Sequence, residues 1–328
     1  MNEETMPQRP PPARARISVV VPVCNEEKNI AKLAAAVLGQ LTSLKNVEPE
    51  LIFIDDGSSD RTLAEIKRLA LEQKKVFYCS LSRNFGHQNA IRAGLDIATG
   101  DAVITMDGDM QHPPEILPEM IDKWREGNEI VCTLRRDTEQ ISWFKRKTSV
   151  LFYWLMNQMA GINMEKGSAD FRLLDRKAVD ALKSIRESNI FYRGLISWAG
   201  FKQCGIEYLP SVRLHGRSKY SFRKMFRLAL DGITAFSFLP LRLAAATGFF
   251  IAFLSFLYVL YALYIRLFTE QAVDGWMSLM AGVYFLGGVQ LIFIGLCGEY
   301  IGRIFMEVKG RPHYFISEAK TPKQSNEK

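Results

Sequence analysis

Two long uncharged runs near the C-terminus constrain the fold of this chain more than any other feature of its sequence. Residues 243–265 and residues 276–298 each span 23 positions without Asp, Glu, Lys or Arg. About 20 helical residues cross the hydrocarbon core of a bilayer, and buried helices of soluble proteins rarely stay uncharged for so long. Only ten residues join the two runs. The sequence therefore predicts a hairpin of two membrane-spanning helices.

Basic residues flank this hairpin on its outer sides. They are Arg213, Arg217, Lys219, Arg223, Lys224, Arg227 and Arg242 before it, and Arg303, Lys309 and Arg311 after it. The joining loop holds one basic residue, Arg266, beside Glu270 and Asp274. Because basic residues stay on the cytoplasmic side, we expect the large N-terminal domain and both termini to be cytoplasmic. The net charge of +7 suits a surface of anionic membrane lipids, and its clustering beside the spans argues against a nucleic-acid partner.

Short β-branched runs alternate with helical segments before the hairpin. The predicted strands are residues 17–23, 51–55, 76–81, 102–106 and 129–133, and the predicted helices are residues 25–44, 61–73, 87–98 and 113–126, with Asn25 as the first cap. This alternation predicts an α/β fold with a mainly parallel sheet and helices on both faces. Ligands of such sheets bind beyond the carboxyl ends of the strands.

An acidic motif follows the fourth predicted strand. Asp107-Gly108-Asp109 ends that strand, and Gln111 comes two residues later. Oxygen ligands at this spacing suit Mg²⁺ or Mn²⁺ shared with a diphosphate, and Gly108 lets the backbone approach closely. Asp56, after the second strand, can accept from a nucleobase or a ribose hydroxyl, or it can belong to an ordinary turn.

Other ligand classes lack their signatures. The sequence has no GxGxxG and no GxxxxGK[ST], which removes the phosphate cradles of dehydrogenases and P-loop enzymes. The five cysteines form no CxxC pair, so structural zinc and a disulfide framework are not expected. The first 16 residues include four prolines and no apolar run, which predicts a disordered tail without a signal peptide.

Four motifs resemble the inverting family 2 glycosyltransferases. They are VPVCNEE at residues 21–27, DDGSSD at 55–60, SRNFGH at 82–87 and DGDMQHPP at 107–114. With the hairpin they resemble, more narrowly, the polyprenyl-phosphate glycosyltransferases, a group that includes dolichol-phosphate mannose synthase and the bactoprenol glucosyltransferases. The resemblance covers about residues 17–311.

This resemblance implies a GT-A fold, a UDP-sugar donor, with UDP-glucose expected first, and a polyprenyl phosphate acceptor at a bacterial cell membrane. The nucleotide-sugar-binding residues that it implies are Pro22, Cys24, Glu26, Asp56, Asp107, Gly108 and Arg135. The residues implied to hold Mg²⁺ or Mn²⁺ are Asp107, Asp109 and Gln111. The residues implied to face phosphates are Arg146, Arg213 and Lys219. A GDP-sugar donor and a homo-oligomer remain open alternatives.

The segment Ser168-Ala169-Asp170-Phe171-Arg172 resembles the acceptor side of the family, with Asp170 as the candidate catalytic base. A phosphate monoester has a second pKa of about 6 and is already anionic, so Asp170 could instead orient a neighbour or pair with Arg172 or Arg176. A membrane glycosyltransferase with a hydroxyl acceptor, for glycolipid or polysaccharide synthesis, is the alternative function. The absence of QxxRW and the presence of only two spans argue against a polysaccharide synthase.

The expected organisation has five parts. They are a disordered tail (1–16), a cytoplasmic GT-A domain (17–212), a basic amphipathic juxtamembrane segment (213–242), two transmembrane helices (243–265 and 276–298, within 243–298) and a cytoplasmic tail (299–328).

Overall fold

The computed structural model describes residues 14–135, 168–187, 190, 192–209, 239–268 and 275–323. The chain divides into two compact units, one formed by Met1–Ser221 with Pro312–Lys328 and the other by Phe222–Arg311. Predictions for Arg146, Arg213, Lys219 and the juxtamembrane residues 213–238 lie outside the described residues.

The first unit is an α/β domain. Its strands are β1 (Ala15–Val23), β2 (Val47–Asp55), β3 (Val76–Leu81), β4 (Ala102–Thr105), β5 (Ile130–Arg135), β6 (Ser168–Asp175), β7 (Gln203–Tyr208) and β8 (Ile316–Lys320). Its helices are α1 (Ile30–Ser43), α2 (Thr62–Glu72), α3 (His87–Ile97), α4 (Leu117–Arg125), α5 (Arg176–Ser184) and α6 (Tyr192–Trp198), with a 3₁₀ turn at Pro114–Ile116.

Within the described residues, eight strands form one sheet in the order β7-β5-β6-β4-β1-β2-β3-β8. Strand β1 runs parallel to β2 and β4, β2 runs parallel to β3, and β5 runs parallel to β7. Strand β6 is antiparallel to both β4 and β5, and β8 is antiparallel to β3. The predicted α/β class with a mainly parallel sheet is confirmed.

Helix α1 shows how the sequence builds the core. Its buried residues Ile30, Leu33, Val37 and Leu41 recur at three- and four-residue spacing and form one apolar stripe. That stripe joins the core cluster that also contains the fully buried Phe53 of β2. Burying each such side chain stabilises the fold by about 1.5–3 kcal/mol. The central strands are therefore fixed, and with them the positions of their carboxyl ends.

The start of α1 differs from the prediction. The helix begins at Ile30, and Asn25 does not cap it. Asn25 has a φ of +59°, in the left-handed region, and its Oδ1 accepts hydrogen bonds from the backbone N–H groups of Ser59 at 2.8 Å and Asp60 at 3.3 Å. Asn tolerates this conformation because its side chain can bond nearby backbone. Asn25 thus joins the end of β1 to the turn after β2.

The second unit contains two long helices, α7 (Leu239–Phe268) and α8 (Trp276–Val308). Their segments Leu241–Ile265 and Gly282–Val308 have mean hydropathies of 2.2 and 1.5 and are long enough to cross a membrane. Helix α8 extends ten residues past Gly298, where the uncharged run ends. The helix continues through the first charges after that run, where Glu299 and Arg303 pair at 3.1 Å across one turn and add a small stabilisation.

Strand β8 lies in the segment predicted as a C-terminal tail. Its five residues, Ile316–Lys320, pair antiparallel with β3 and form one edge of the sheet. Its sequence, ISEAK, is short and half polar, which is typical of an edge strand and gives little signal to a pattern search. Glu318 pairs with Lys67 at 2.5 Å on the exposed side. The chain therefore returns to the α/β domain after its second long helix.

Candidate active site

The carboxyl ends of the central parallel strands define the site. Strand β1 ends at Val23, β2 at Asp55 and β4 at Thr105, and parallel pairing places all three ends at the same edge of the sheet. The acidic residues Asp56 and Asp107 follow two of these ends. The backbone N–H of Asp56 donates to the carbonyl of Val23 at 2.9 Å, which ties the turn after β2 to β1.

The turn after β4 is tight and strained. An added Cβ at Gly108 would lie 2.5 Å from Cγ1 of Val23 and 3.3 Å from the carbonyl oxygen of Pro22. Glycine is therefore required where this turn approaches β1. Met110 has a φ of +63°, a conformation that costs free energy in a residue with a side chain. Strain of this kind often accompanies a functional turn, and here it sits between two of the predicted metal ligands.

Asp109 and Gln111 hold each other across this turn. Oδ1 of Asp109 accepts from the backbone N–H of Gln111 at 3.1 Å, and Oδ2 accepts from its amide Nε2 at 2.9 Å. Gln111 uses N–H groups in both bonds, so its amide oxygen keeps its acceptor character. The side chain of Asp107 is 36% exposed. Two carboxylates and an amide oxygen fit a hard divalent cation such as Mg²⁺ or Mn²⁺.

This set leaves coordination positions of a bound ion open. Among the residues that the structure describes, no three His, Cys, Asp or Glu side chains are grouped closely enough to bind a metal. Divalent cations shared with phosphates commonly take only one or two protein carboxylates. Asp107, Asp109 and Gln111 therefore fit a cation whose remaining ligands come from a diphosphate and water.

The side chain of His112 holds the backbone at Asp107. Its Nδ1 accepts a hydrogen bond from the backbone N–H of Asp107 at 2.9 Å, and its ring stacks on Phe171 at 4.9 Å between centroids. Burial lowers the pKa of His112, although the charges of Asp107 and Asp109 act in the opposite direction. The imidazole is therefore a neutral, buried support for the turn.

Strand β6 brings Asp170 close to Asp107 in the turn after β4. Strands β4 and β6 pair from Ala102 opposite Asp175 to Thr105 opposite Arg172. Asp107 and Asp170 each lie two residues beyond the last pair, and the hydroxyl of Thr105 donates to the carbonyl of Asp170 at 2.7 Å. His87, the first residue of α3, lies between the two acids, with Nε2 3.4 Å from Oδ1 of Asp107 and 3.9 Å from Oδ2 of Asp170. From the sequence His87 belongs to the SRNFGH motif at the start of a predicted helix, and the structure adds its place between the two acids.

Asp170 is paired with Arg193 of α6. Arg193 donates from Nε and Nη2 to the two carboxylate oxygens of Asp170, each at 2.9 Å. The side chain of Asp170 is only 12% exposed. Burial alone would raise the pKa of Asp170, but the charge and hydrogen bonds of Arg193 outweigh it and hold the pKa well below its usual range. The sequence offered Arg172 and Arg176 as alternative partners of Asp170; Arg193 makes the two hydrogen bonds, and the charge of Arg172 also lowers the pKa of Asp170.

Asp56 organises the loop between β3 and α3, which we call the β3–α3 loop (residues 82–86). Its Oδ1 accepts from the backbone N–H of Phe85 at 2.7 Å, and its Oδ2 accepts from that of Gly86 at 3.0 Å. Asp56 is 4% exposed, and Gly86 has a φ of +94°. Each carboxylate oxygen has a second lone pair. Asp56 therefore shapes the loop and can still accept a hydrogen bond from a ligand.

Comparisons with known proteins show the family of this chain. The family model "Glycosyl transferase family 2" matches residues 18–183, and the model "GtrB C-terminal hairpin" matches residues 239–304. The chain belongs to glycosyl transferase family 2. It is a glycosyltransferase with the GT-A-like α/β fold, and its two long helices match the hairpin of that second model.

Relatives of this glycosyltransferase match it almost end to end. It is 42% identical to the uncharacterized glycosyltransferase YkcC of Bacillus subtilis, over 92% of this chain and 93% of the relative. It is 43% identical to a prophage-derived bactoprenol glucosyl transferase of Shigella flexneri, over 93% of this chain and 98% of the relative. A structure of glucosyl-3-phosphoglycerate synthase from Mycobacterium tuberculosis with Mn²⁺ and UDP-glucose has a TM-score of 0.42 at 17% identity, covering 67% of this chain and 77% of that one.

The other predicted donor-side residues of the glycosyltransferase lie around the same edge. Cys24 follows β1, and its Sγ accepts from Nδ2 of Asn84 at 3.4 Å; burial raises the pKa of this thiol. Oε2 of Glu26 accepts from Nδ2 of Asn29 at 2.6 Å, so Glu26 helps to start α1. Arg135 ends β5 opposite Tyr208 and is exposed, and among the described residues no hydrogen bond or ion pair joins it to the acidic cluster.

The structure therefore unites Asp107, Asp109, Gln111 and Asp170 in one cluster and adds His87 and Arg193. Arg193 was missed because it lies 23 residues from Asp170 on a separate helix. No local pattern marks such a partner. His87 carried one usable signal, its place directly after a glycine at the start of a helix that follows a strand.

Proposed function

We propose that this glycosyltransferase moves a sugar, glucose in the first instance, from a UDP-sugar to a polyprenyl phosphate with inversion at the anomeric carbon. The reaction takes place at the cytoplasmic face of a bacterial cell membrane and yields a polyprenyl-phosphate sugar. The observation that carries the proposal is the grouping of Asp107, Asp109 and Gln111 at the carboxyl end of β4, beside Asp170.

The donor side of the proposal rests on the strand ends. A nucleotide base and ribose would lie over Pro22, Cys24, Glu26 and Asp56, which follow or end β1 and β2. The diphosphate would lie at Asp107 and Asp109, where a bound Mg²⁺ or Mn²⁺ supplies a Lewis acid that stabilises the departing nucleoside diphosphate.

The acceptor side rests on the relatives and on chemistry. The relatives named bactoprenol glucosyl transferase share both the α/β domain and the hairpin with this chain. In the proposed step, an acceptor phosphate oxygen forms a bond to the anomeric carbon as the bond from that carbon to the donor diphosphate breaks. The leaving diphosphate keeps the electron pair. An ionised phosphate attacks without losing a proton, so no base is required.

The state of Asp170 favours this acceptor over a hydroxyl. A hydroxyl acceptor must lose its proton to a base, and the efficiency of a base falls as its pKa drops far below the working pH. Arg193 holds the pKa of Asp170 below its usual range. Asp170 therefore suits an orienting role, in which it and Arg193 fix the position of His87 and of the sugar.

The orientation at the membrane rests on the flanking charges and on β8. Strand β8 shares a sheet with β1, so the segment after the hairpin and the domain before it occupy the same compartment. Basic residues on both outer flanks favour the cytoplasm for that compartment.

The test is direct. Purified full-length protein with Mn²⁺ and a panel of UDP- and GDP-sugars is incubated with polyprenyl phosphate and, in parallel, with hydroxyl-bearing lipids, and lipid products are identified by mass spectrometry. We expect a product heavier than the acceptor by one hexose, with UDP-glucose as the best donor. Transfer only to hydroxyl-bearing lipids, with none to polyprenyl phosphate, would contradict the proposal.

A further inference from the structure

The segment after the second long helix contacts the loop that Asp56 holds. We call residues 314–320, which include β8, the C-terminal strap. Its antiparallel pairing with β3 begins at Lys320 opposite Tyr78 and reaches Ile316 opposite Leu81. The pairing continues one step further, because the backbone N–H of Ser82 donates to the carbonyl of Phe315 at 2.9 Å. The strap therefore reaches the first residue of the β3–α3 loop.

Aromatic contacts also join the C-terminal strap to Phe85 of the β3–α3 loop. The rings of Phe315 and Phe85 lie 6.2 Å apart between centroids at an angle of 53°, which is the range of favourable tilted pairs. The guanidinium of Arg83 lies 4.0 Å from the centroid of the same Phe85 ring. The backbone of Phe85 is the donor to Asp56 at 2.7 Å. One residue thus contacts the strap through its side chain and Asp56 through its backbone.

A third contact fixes the far end of the adjoining helix. The hydroxyl of Tyr314 donates to Oδ2 of Asp96 at 2.9 Å, and Asp96 also accepts from Nε of Arg92 at 3.2 Å. Both partners belong to α3, which begins with His87. The strap therefore holds the loop before α3 and the last turns of α3 itself.

The β3–α3 loop also packs closely against Gly57, in the turn after β2. A Cβ at Gly57 would lie 2.5 Å from the carbonyl carbon of Arg83 and 2.6 Å from the nitrogen of Asn84. The loop therefore lies tightly against the turn after β2, and its Phe85 ring also contacts Phe315. Movement of the strap removes the ring contact to Phe85, whose backbone N–H is bound to Asp56.

We propose that Tyr314 and Phe315 are positioning residues for the donor nucleotide site. They hold the β3–α3 loop so that Asp56 faces the nucleotide and His87 faces Asp107. The inference rests on the proposed donor site and adds that the chain following the membrane hairpin is needed to form it.

The experiment uses full-length Phe315→Ala with a matched control on the same strand. Binding of UDP in the presence of Mn²⁺ is measured by calorimetry, loop opening by hydrogen exchange of the peptide containing residues 82–87, and global stability by thermal unfolding. The control is Glu318→Ala, which removes the exposed ion pair with Lys67. Phe315→Tyr keeps the ring and Tyr314→Phe removes only the hydroxyl.

We expect Phe315→Ala to weaken UDP binding by about tenfold, in line with the loss of an aromatic contact. Exchange within the loop should quicken, while the unfolding temperature stays at that of Glu318→Ala. Phe315→Tyr should restore binding, and Tyr314→Phe should weaken it by a smaller factor. Unchanged binding in Phe315→Ala, or an equal loss in Glu318→Ala, would overturn this inference alone. Wild-type protein that binds no nucleoside diphosphate would overturn the proposed function and this inference together.

Discussion

Arg193 donates two hydrogen bonds of 2.9 Å to Asp170, from Nε to Oδ1 and from Nη2 to Oδ2. A guanidinium fork that matches both carboxylate oxygens fixes the orientation of the acid as well as its charge. His87 lies 3.9 Å from the same carboxylate and 3.4 Å from Asp107. The pair therefore anchors one side of the acidic cluster and is unsuited to accept a proton near neutral pH.

The first prediction concerns pH. Asp170→Asn should lower turnover by about 10²-fold through misplacement of its neighbours. The factor should be the same at pH 6 and at pH 8, because Arg193 keeps the pKa of Asp170 far below both. Initial rates across this range provide the measurement, and Asp180→Asn, whose side chain is 61% exposed on α5, is the control. A defect that grows steadily with rising pH would instead reveal a titrating base.

The second prediction concerns the metal. Asp109→Asn removes a charged oxygen ligand and should cost about 3 kcal/mol of transition-state stabilisation, or roughly 10²-fold in turnover. EDTA should abolish activity, and Mn²⁺ should restore it at a higher concentration in the variant than in the wild type. Asp122→Asn, at a side chain 69% exposed on α4, should behave as wild type. Full activity of Asp109→Asn in EDTA is the result that excludes this metal site.

The third prediction comes from the sequence and concerns the acceptor. Arg213→Ala and Lys219→Ala should each lower turnover sharply and raise the KM for polyprenyl phosphate, because two anions must meet in a partly dehydrated site. Arg223→Ala and Lys224→Ala should cost much less, since exposed charges are individually weak. Kinetics in vesicles of fixed lipid composition make the comparison. Equal losses of turnover in all four variants would show that the effect comes from general surface charge.

The fourth prediction concerns topology. Cysteines introduced at Glu3 and Ser325 should be protected from a membrane-impermeant thiol reagent in intact cells, whereas one at Ala272 should react. Unmodified protein, with its five native cysteines, provides the background signal. Because β8 and β1 share a sheet, Glu3 and Ser325 must give the same answer. Opposite labelling of these two positions would be incompatible with the sheet.

Much of the fold could be predicted from the sequence because the central strands carry their own signal. Strand β3 begins and ends at the predicted residues, and β1, β2 and β4 differ by a few residues at their ends. These strands are buried on both faces, so they are continuous apolar runs. Strand β6 escaped prediction because it has a buried Arg172 in its middle, whose Nε donates to the carbonyl of Ala169 at 2.8 Å. Tertiary contacts, which local patterns do not encode, stabilise such a strand.

The candidate site likewise combines residues that the sequence could group with contacts that only the fold reveals. Asp107, Asp109 and Gln111 lie within five positions of each other, so the sequence alone could group them. The bonds from Phe85 and Gly86 to Asp56 join residues about 30 positions apart, and only the folded loop reveals them. From the sequence Asp56 was either a ligand contact or part of an ordinary turn, and the structure adds its bonds to the loop between β3 and α3.

The position of β8 has a consequence for how the protein is made. The strand that completes the sheet on the β3 side leaves the ribosome after both long helices. Until then β3 presents an unpaired edge, the kind of edge that promotes aberrant pairing between chains. Domains generally fold as units during synthesis, N-terminal part first, but this one cannot finish before its helical hairpin has been synthesised. Maturation of the catalytic domain is thereby ordered after synthesis of its anchor, and a nascent chain that stalls within the hairpin would hold an open sheet.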